Sequence, residues 1–370
     1  MIWLIRGLTL LLGGCYPAMA PDKEPVREYG RDPSYAIYQN YRYTYDTYVY
    51  LFWDESTGAG PENAGTMGGG WNRPQNQETG EDVNQERTAS DNIQGIMATE
   101  GIDGRGDGEN GRKGENIPAL AQLQDYDYLM KNFYSVHTST TAPRELMRAE
   151  ELLDMDLGLE KGGPKPQILI YHTHSQETYA DYGPENPEAS VVGIGNRLTQ
   201  LLEEKGWGVI HDTSRYDIQG GTLDRSRAYN YALEGISKIL QENPSIEVVL
   251  DLHRDGVKDT LHLMSEVNGK PTANIMFFQG MSRTPEEEIA YLPNPYLREN
   301  LAFTLQMQLD AAQRFPGYTR KIYMKGLRYN LHLRPRSALI EVGAQTNSGE
   351  EAYNAMEPLA ELLDRVLQGR

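Results

Sequence analysis

The fold of this chain is decided by residues 168–177, which read Ile-Leu-Ile-Tyr-His-Thr-His-Ser-Gln-Glu. An apolar run ends here in residue types that bind metals. The run is continuous in Ile and Leu rather than alternating, which is typical of a central strand of a parallel sheet. Ligands bind at the carboxyl ends of such strands. His174 and Glu177 follow with an H-x-x-E spacing, so one tight turn is predicted to aim an imidazole and a carboxylate at one ion, as in open zinc sites.

Strand and helix patterns alternate on the carboxyl side of this stretch. The predicted strands span residues 168–171, 208–211, 246–252, 273–278 and 337–342. The predicted helices span residues 189–205, 225–241, 295–314 and 350–367, with two more upstream at 120–133 and at 141–153, where Thr141 is the expected N-cap. This alternation predicts an α/β fold, a mostly parallel twisted sheet with helices on both faces.

Two further predicted strands also end in polar residues. Residues 248–255 read Val-Val-Leu-Asp-Leu-His-Arg-Asp and supply His253 and Arg254, and Glu341 lies inside an otherwise apolar strand. The carboxyl ends of parallel strands meet at one edge of the sheet, so these groups are expected to lie close together. A buried glutamate is costly unless a metal or cation is nearby. Glu341 is therefore the best candidate for a catalytic carboxylate.

The residue types predict a zinc hydrolase. Two imidazoles and one carboxylate, from His174, His253 and Glu177, bind Zn²⁺ and leave a fourth position for water. Glu341 would take the proton from that water as it attacks a carbonyl. His172 is the alternative to His174 as a ligand, and otherwise a structural or supporting group.

Several other polar residues are candidates for binding substrate. Arg254, Arg334 or Arg336 would hold peptide carboxylates as bidentate donors, and surface ion pairing is the equally weighted alternative. His332 is predicted to contact substrate or to be structural.

The chain divides into four predicted regions. Residues 1–20 have one positive charge and a short apolar core, which favours an export signal, and the sequence ending in Cys15 resembles a bacterial lipobox, so a lipid anchor and a plain signal anchor both stay open. Residues 21–116 are Tyr-rich and then polar, Gly-rich and predicted to be disordered. Residues 117–165 form a helical lead-in, and residues 166–370 form the catalytic domain.

The overall charge limits the classes of partner. The chain has 370 residues, a net charge of −18 and one cysteine. The negative charge argues against nucleic acid and against a polyanionic surface as the main partner. A single cysteine excludes an intramolecular disulfide framework.

Five motifs occur in order along the chain, at Met130–Tyr134, Pro166–Tyr179, Asp251–Gly256, Leu333–Ser337 and Ile340–Asn347. Together they resemble the stage II sporulation protein P family of endospore-forming bacteria. The resemblance covers roughly residue 120 to the carboxyl terminus.

The resemblance implies a fold similar to zinc-dependent N-acetylmuramoyl-L-alanine amidases, and an enzyme that degrades peptidoglycan during engulfment as an amidase and an endopeptidase. It also implies an extracytoplasmic location, tethered through the amino terminus at the forespore engulfment membrane, with stage II sporulation proteins D and M as partners. The family's HTH-x-x-E motif falls on His172, His174 and Glu177, its D-L-H-R-D motif supplies His253, and its E-V-G motif supplies Glu341 as the expected general base. Related zinc carboxypeptidases also pair H-x-x-E with a distant His, which favours His174.

Two rival functions stay open from the sequence. A metallocarboxypeptidase-like wall peptidase would keep the same ion and differ only in its substrate pocket. A non-catalytic cell-wall-binding module would keep the fold alone. The second rival is disfavoured because a degenerate enzyme would have lost at least one of the four expected site residues.

Overall fold

The computed structural model describes residues 118–163 and 165–370. The strands of this part are β1 Tyr134–Val136, β2 Ile168–Tyr171, β3 Val209–His211, β4 Ile218–Gln219, β5 Thr222–Leu223, β6 Val248–Asp255, β7 Met264–Val267, β8 Lys270–Ala273, β9 Ile275–Gly280, β10 Ile322–Lys325 and β11 Arg336–Ala344. The α-helices are α1 Leu120–Leu123, α2 Tyr126–Phe133, α3 Ala149–Leu153, α4 Val191–Glu204, α5 Ala228–Glu242, α6 Leu297–Arg314, α7 Gly349–Asn354 and α8 Met356–Val366.

Seven of these strands form one sheet, in the order β1-β10-β9-β11-β6-β2-β3. Neighbouring strands run parallel at every step except between β11 and β9, which are antiparallel. The pairs β4–β5 and β7–β8 are separate antiparallel hairpins. The prediction of a mostly parallel sheet is therefore confirmed.

The strands at the centre of the sheet bring three carboxyl ends to one edge. Every residue of β2 is buried, as expected for a strand that is covered on both faces. In the parallel pairing of β2 with β6, Tyr171 lies opposite Asp251. On the other side of β6, His253 lies opposite Glu341 of β11. The polar residues that end these strands are therefore neighbours in space, as the sequence predicts.

Helices cover both faces of the sheet. Side chains on a strand alternate between faces, so Ile170 and Leu250 enter one hydrophobic cluster with residues of α4, α6 and α8. Leu169 and Val249 point the other way and pack against Ile236 of α5. Each face thus buries its own apolar layer, and the sheet is held as the middle layer of three.

The helix predicted over residues 120–133 is present but interrupted. Asp125 begins the second part, because its side chain accepts hydrogen bonds from the backbone N–H groups of Asp127 and Tyr128. Asp125 is therefore an N-cap, which favours the start of a helix because it satisfies two N–H groups of the first helical turn. The sequence pattern shows the apolar face of α1 and α2 but not this break.

The helix predicted over residues 141–153 is wrong over its first part, since α3 begins only at Ala149. Thr141 is not an N-cap. Its hydroxyl group accepts a hydrogen bond from Arg283 Nε at 3.1 Å and donates one to the carbonyl of Pro285 at 3.3 Å. Contacts distant in sequence therefore override the local capping signal.

The predictions for the amino-terminal region, namely the export signal, the lipidation of Cys15 and the linker over residues 21–116, lie outside the described residues. Within residues 118–163 and 165–370, no helix combines the length and the apolar character needed to cross a membrane.

We predict that Asn300→Leu destabilises the fold by about 2–4 kcal/mol, because two buried backbone groups lose their partner. Asn300 is fully buried in α6. Its amide donates to the Leu331 carbonyl at 2.6 Å and accepts from the Ser337 N–H at 2.8 Å. Urea unfolding measures the change. Asn354→Ala, which removes only an exposed contact with the Pro271 carbonyl, is the control; equal stability of the two variants would contradict the prediction.

Candidate active site

The turn that follows β2 is held from two sides by buried aspartates. Asp251 accepts hydrogen bonds from the backbone N–H and the hydroxyl group of Thr173, at 2.8 and 2.6 Å. Asp217 accepts from the Ser175 hydroxyl group at 2.7 Å and from the Gln176 N–H at 3.1 Å. Both aspartates are fully buried. The turn therefore has a fixed shape, and the side chains of its histidine and glutamate are presented in fixed directions.

His174 presents a ring nitrogen without a partner. Among the described residues nothing forms a hydrogen bond with its buried Nδ1 atom. The ring packs edge-on against Tyr229, with centroids 5.5 Å apart, and against His253, with centroids 5.3 Å apart. Burial, together with the charge of His253, lowers the pKa of His174 to about 3. The imidazole is therefore neutral and keeps a lone pair, as a metal ligand must.

Glu177 and His253 meet beside it. The Oε2 atom of Glu177 lies 3.5 Å from His253 Nδ1 and accepts a hydrogen bond from the Arg254 N–H at 3.0 Å. Its Oε1 atom accepts from Arg225 Nη2 at 2.5 Å. Burial alone would raise the pKa of Glu177, but its hydrogen bond with His253 and the charges around it hold that pKa well below its usual range. Glu177 is thus an ionised carboxylate.

His253 lies between two carboxylates. Its Nε2 atom lies 2.9 Å from Asp251 Oδ1, close enough for an ion pair. The two groups are not oriented for a hydrogen bond. Burial alone would lower the pKa of His253, but the charges of Asp251 and Glu177 raise it well above its ordinary value. A carboxylate on one ring nitrogen is the arrangement that orients metal-binding histidines. Asp251 is therefore a site residue as well as a structural one.

Glu341 lies next to His253 across the β6–β11 pair. Its Oε2 atom is shielded from solvent and forms no hydrogen bond with any residue that the structure describes. Burial raises the pKa of Glu341 to about 8, although the charge of His253 opposes the shift. A carboxyl group with a pKa near neutrality can both take up and release a proton, which is what a general base requires.

Both nitrogens of His172 are engaged, unlike the free nitrogen of His174. Nδ1 is 3.0 Å from the Leu252 carbonyl, and Nε2 is 2.8 Å from His211 Nε2. A carbonyl oxygen only accepts, so we assign the proton of His172 to Nδ1, and its Nε2 then accepts from His211. Burial lowers the pKa of His172 to about 4. The geometry thus favours His174 as the ligand and gives His172 the task of holding β6 beside it.

The arginines predicted to bind substrate occupy different places. Arg254 lies at the site, and its Nε donates to the Thr178 carbonyl at 3.1 Å, so it fastens β6 to the chain after the turn. Arg336 begins β11, five residues before Glu341, which is about 16 Å along a strand. Its Nε donates to the Leu157 carbonyl at 3.0 Å. The structure therefore places Arg336 near the opposite edge of the sheet.

Arg334 and His332 precede β11. The Nε atom of Arg334 donates to the Ile246 carbonyl at 2.9 Å, next to the start of β6. His332 is 7% exposed, and burial together with the charge of Arg328 lowers its pKa well below the ordinary value. The structure shows no contact between these two residues and the group around His253, and their role in substrate binding stays a prediction.

Sequence reasoning missed four residues of the site, namely Asp217, Arg225, Tyr229 and Asp251. Asp251 carried a signal, because it is an acid inside an apolar strand, two positions before His253 and on the same face of the sheet. Asp217 and Arg225 flank the hairpin β4–β5, where no periodic pattern points toward the turn after β2. Only the tertiary structure reveals their contacts.

The donor set fits zinc in its chemistry. Two imidazoles and one carboxylate converge, and the unpartnered Nδ1 of His174 is a buried polar atom that a metal would satisfy. Within the described ranges, however, no three His, Cys, Asp or Glu side chains are arranged so that they could hold an ion as they stand. Both carboxylate oxygens of Glu177 accept hydrogen bonds, one from Arg225 and one from the Arg254 N–H, and Asp251 lies 2.9 Å from His253. Zinc binding would therefore require small movements of these side chains.

The fold and the site define an α/β protein with histidines and carboxylates gathered at the carboxyl edge of a mostly parallel sheet. The family model of stage II sporulation protein P matches residues 72–364. This chain belongs to the stage II sporulation protein P family. Stage II sporulation protein P of Bacillus subtilis (strain 168) is 26% identical over 223 residues, which are 55% of this chain and 52% of that relative. The match thus spans about half the length of the relative.

Two amidases are among the solved structures that are similar to this chain. The N-acetylmuramoyl-L-alanine amidase AmiC2 of Nostoc punctiforme is 14% identical with a TM-score of 0.35, over 56% of this chain and 98% of that one. The CwlD amidase from Clostridioides difficile, solved with the GerS lipoprotein, is 14% identical with a TM-score of 0.34, over 53% of this chain and 98% of that one. These similarities are too low to say anything about the chemistry of this chain.

We predict that Gly195→Ala destabilises the protein by about 1–2 kcal/mol, although alanine is the better helix former by about 1 kcal/mol. A Cβ atom at Gly195 in α4 would lie 2.5 Å from His211 Nε2 and 2.8 Å from His172 Nε2. It would therefore push the two rings apart. Denaturant unfolding gives the change, with Gln200→Ala on the exposed side of the same helix as the control. A Gly195→Ala variant at least as stable as the parent would refute the packing of this histidine pair.

Proposed function

We propose that this chain is a zinc-dependent peptidoglycan hydrolase that cleaves the amide bond between the lactyl group of N-acetylmuramic acid and L-alanine. The observation that supports it most is the meeting of His174, Glu177 and His253 at one sheet edge, with Glu341 beside His253. No described residue forms a hydrogen bond with the Oε2 atom of Glu341. Membership of the stage II sporulation protein P family supports a role in sporulation.

The ligands in this proposal are His174, Glu177 and His253. Asp251 would hold the second nitrogen of His253 and so fix the direction of the first. When bound, zinc supplies Lewis acidity, which polarises the scissile carbonyl and makes water more acidic. The fixed turn after β2 keeps the ligands in place, which limits the reorganisation needed during the reaction.

Glu341 performs the proton transfers. Its carboxylate accepts a proton from water as the water oxygen bonds to the carbonyl carbon. The same proton is then given to the amide nitrogen as the carbon–nitrogen bond breaks, so the products are the lactyl carboxylic acid, which then loses its own proton to solvent, and the free amine of L-alanine. A nearby dication would lower the raised pKa of Glu341 and favour its ionised form in the loaded enzyme.

The proposal includes a location outside the cytoplasm, with the predicted amino-terminal signal as a membrane tether. Stage II sporulation proteins D and M are the partners that the family resemblance implies. In this proposal residues 21–116, which the composition predicts to be a linker, connect the tether to the catalytic domain.

Analysis of the products from purified peptidoglycan tests this function. We expect the full chain with zinc to release free lactyl ends, and Glu341→Gln to bind zinc normally with activity reduced by about 10²–10⁴-fold, because the substitution keeps the shape and removes the proton acceptor. Mass spectrometry identifies the new ends, and elemental analysis gives the zinc content. Glu266→Gln, an exposed glutamate of β7, is the control and should stay fully active.

The alternatives give different products in the same experiment. New peptide ends without lactyl ends would identify a wall peptidase, and intact fragments would identify a binding module. Loss of zinc from Glu341→Gln would make Glu341 a ligand instead of the base.

Zinc affinity is predicted to rise with pH. In the metal-free chain the raised pKa of His253 keeps its ring protonated, and zinc must displace that proton. In the unfolded chain the pKa of His253 is about 6.5, and below that pH its ion pairs contribute their full stabilisation to the fold. This stabilisation is lost as the pH rises through the raised pKa of His253 in the folded chain. At pH values below the raised pKa of His253, zinc affinity should therefore increase by up to about tenfold per pH unit, and zinc binding should release about one proton.

Calorimetry in two buffers of different ionisation enthalpy counts that proton. His262→Gln is the control, since His262 pairs with Glu351 at 2.9 Å and should not alter the count. An affinity that does not change with pH would show that His253 is not a ligand.

A further inference from the structure

Arg225 places a positive charge beside Glu177, the one carboxylate among the proposed metal ligands. It lies in the 3₁₀ turn between β5 and α5, and its Nη2 donates to Glu177 Oε1 at 2.5 Å. The side chain of Arg225 is 42% exposed, whereas that of Glu177 is 4% exposed. No step of the proposed reaction uses this guanidinium, so its contact with a ligand carboxylate needs its own account.

The orientation of Glu177 does not depend on this contact alone. The Arg254 N–H holds the other carboxylate oxygen at 3.0 Å. Asp217 holds the two preceding residues of the turn, through the Ser175 hydroxyl group and the Gln176 N–H. Because these contacts already orient Glu177, the main contribution of the guanidinium is its positive charge, which adds to that of the neighbouring His253 ring.

We propose that Arg225 is a positioning residue that acts through Glu177 in two opposite ways. Without metal it neutralises a buried carboxylate that would otherwise be costly, and so keeps the ligand group assembled. With metal it is a cation next to a dication, and so it loosens the hold on the metal. This inference rests on the proposed function, because it takes Glu177 to be a zinc ligand.

Removal of Arg225 would have two opposite effects on zinc affinity: it removes a partner that orients Glu177, and it removes a positive charge that repels zinc. Loss of an orienting partner usually weakens metal binding by about 10–100-fold. Here the backbone N–H and Asp217 keep the orientation, so relief of the charge repulsion is the larger effect. We expect Arg225→Gln to bind zinc about tenfold more tightly than the parent chain, while its metal-free form melts at a lower temperature.

The matched control is Arg215, which comes from the same segment and contacts the same turn. Its Nη2 donates to Gln176 Oε1 at 2.7 Å, a neutral group that is not a ligand. Arg215→Gln should therefore leave zinc affinity unchanged. Arg225→Lys keeps a charge but loses the planar fork, and its strongly hydrated ammonium would stay farther out in water, so its affinity should fall between those of the parent and Arg225→Gln.

The experiment measures zinc affinity of the four full-length chains by competition with a coloured chelator, together with their Co²⁺ absorption spectra and metal-free melting temperatures. The proposal requires zinc affinity to be highest in Arg225→Gln, intermediate in Arg225→Lys, and lowest and equal in the parent and Arg215→Gln. The Co²⁺ spectra of all four chains should be of the same type. Affinity in Arg225→Gln equal to or weaker than in the parent overturns it.

Other outcomes separate this inference from the proposed function. If Arg225→Gln cannot fold without metal, the comparison of Arg225→Lys with Arg215→Gln decides, and equal zinc affinities of these two variants overturn the inference. If the folded parent chain binds no zinc, the proposed function fails and the inference fails with it. If the parent binds zinc and only the order of affinities is wrong, the proposed function stands and the inference alone is rejected.

Discussion

The buried carboxylate of Asp251 is the interaction on which the site depends. It is fully buried, and an isolated charge in that position would be costly. Two hydrogen bonds from Thr173 and the nearby His253 ring offset this cost. Burial alone would raise the pKa of Asp251, but the charge of His253 and these hydrogen bonds lower it. One side chain thus fixes the turn after β2 to β6 and forms an ion pair with His253.

The remaining charges are arranged around that carboxylate. Glu177 and Asp251 are ionised acids, and the protonated His253 and Arg225 balance them in the metal-free chain. Glu341 lies beside this group without a hydrogen bond from the described part of the chain, and burial raises its pKa. The neighbouring acids therefore have different protonation states for a physical reason. Such a separation of pKa values is what distinguishes a proton acceptor from a ligand.

The sequence predicts the sheet and the meeting of its polar strand ends well, because continuous apolar runs are strong signals and the ends of parallel strands must meet. It found Glu341 as an acid inside an apolar strand, and the same reasoning would have found Asp251. It could not find Arg225, since that contact depends on how a hairpin folds back. It also could not place Arg336, because the sequence does not show that this residue begins strand β11, at the end of the strand that lies away from Glu341.

The central claim is that His174, Glu177 and His253 hold one metal ion together. Diffraction at the zinc absorption edge from crystals of the zinc-loaded chain tests it directly. The account predicts one anomalous peak about 2.0–2.3 Å from a ring nitrogen of each histidine and from a Glu177 oxygen, the ordinary range for zinc ligands. A peak bound to His172 instead, or no peak in a correctly folded crystal, would contradict it.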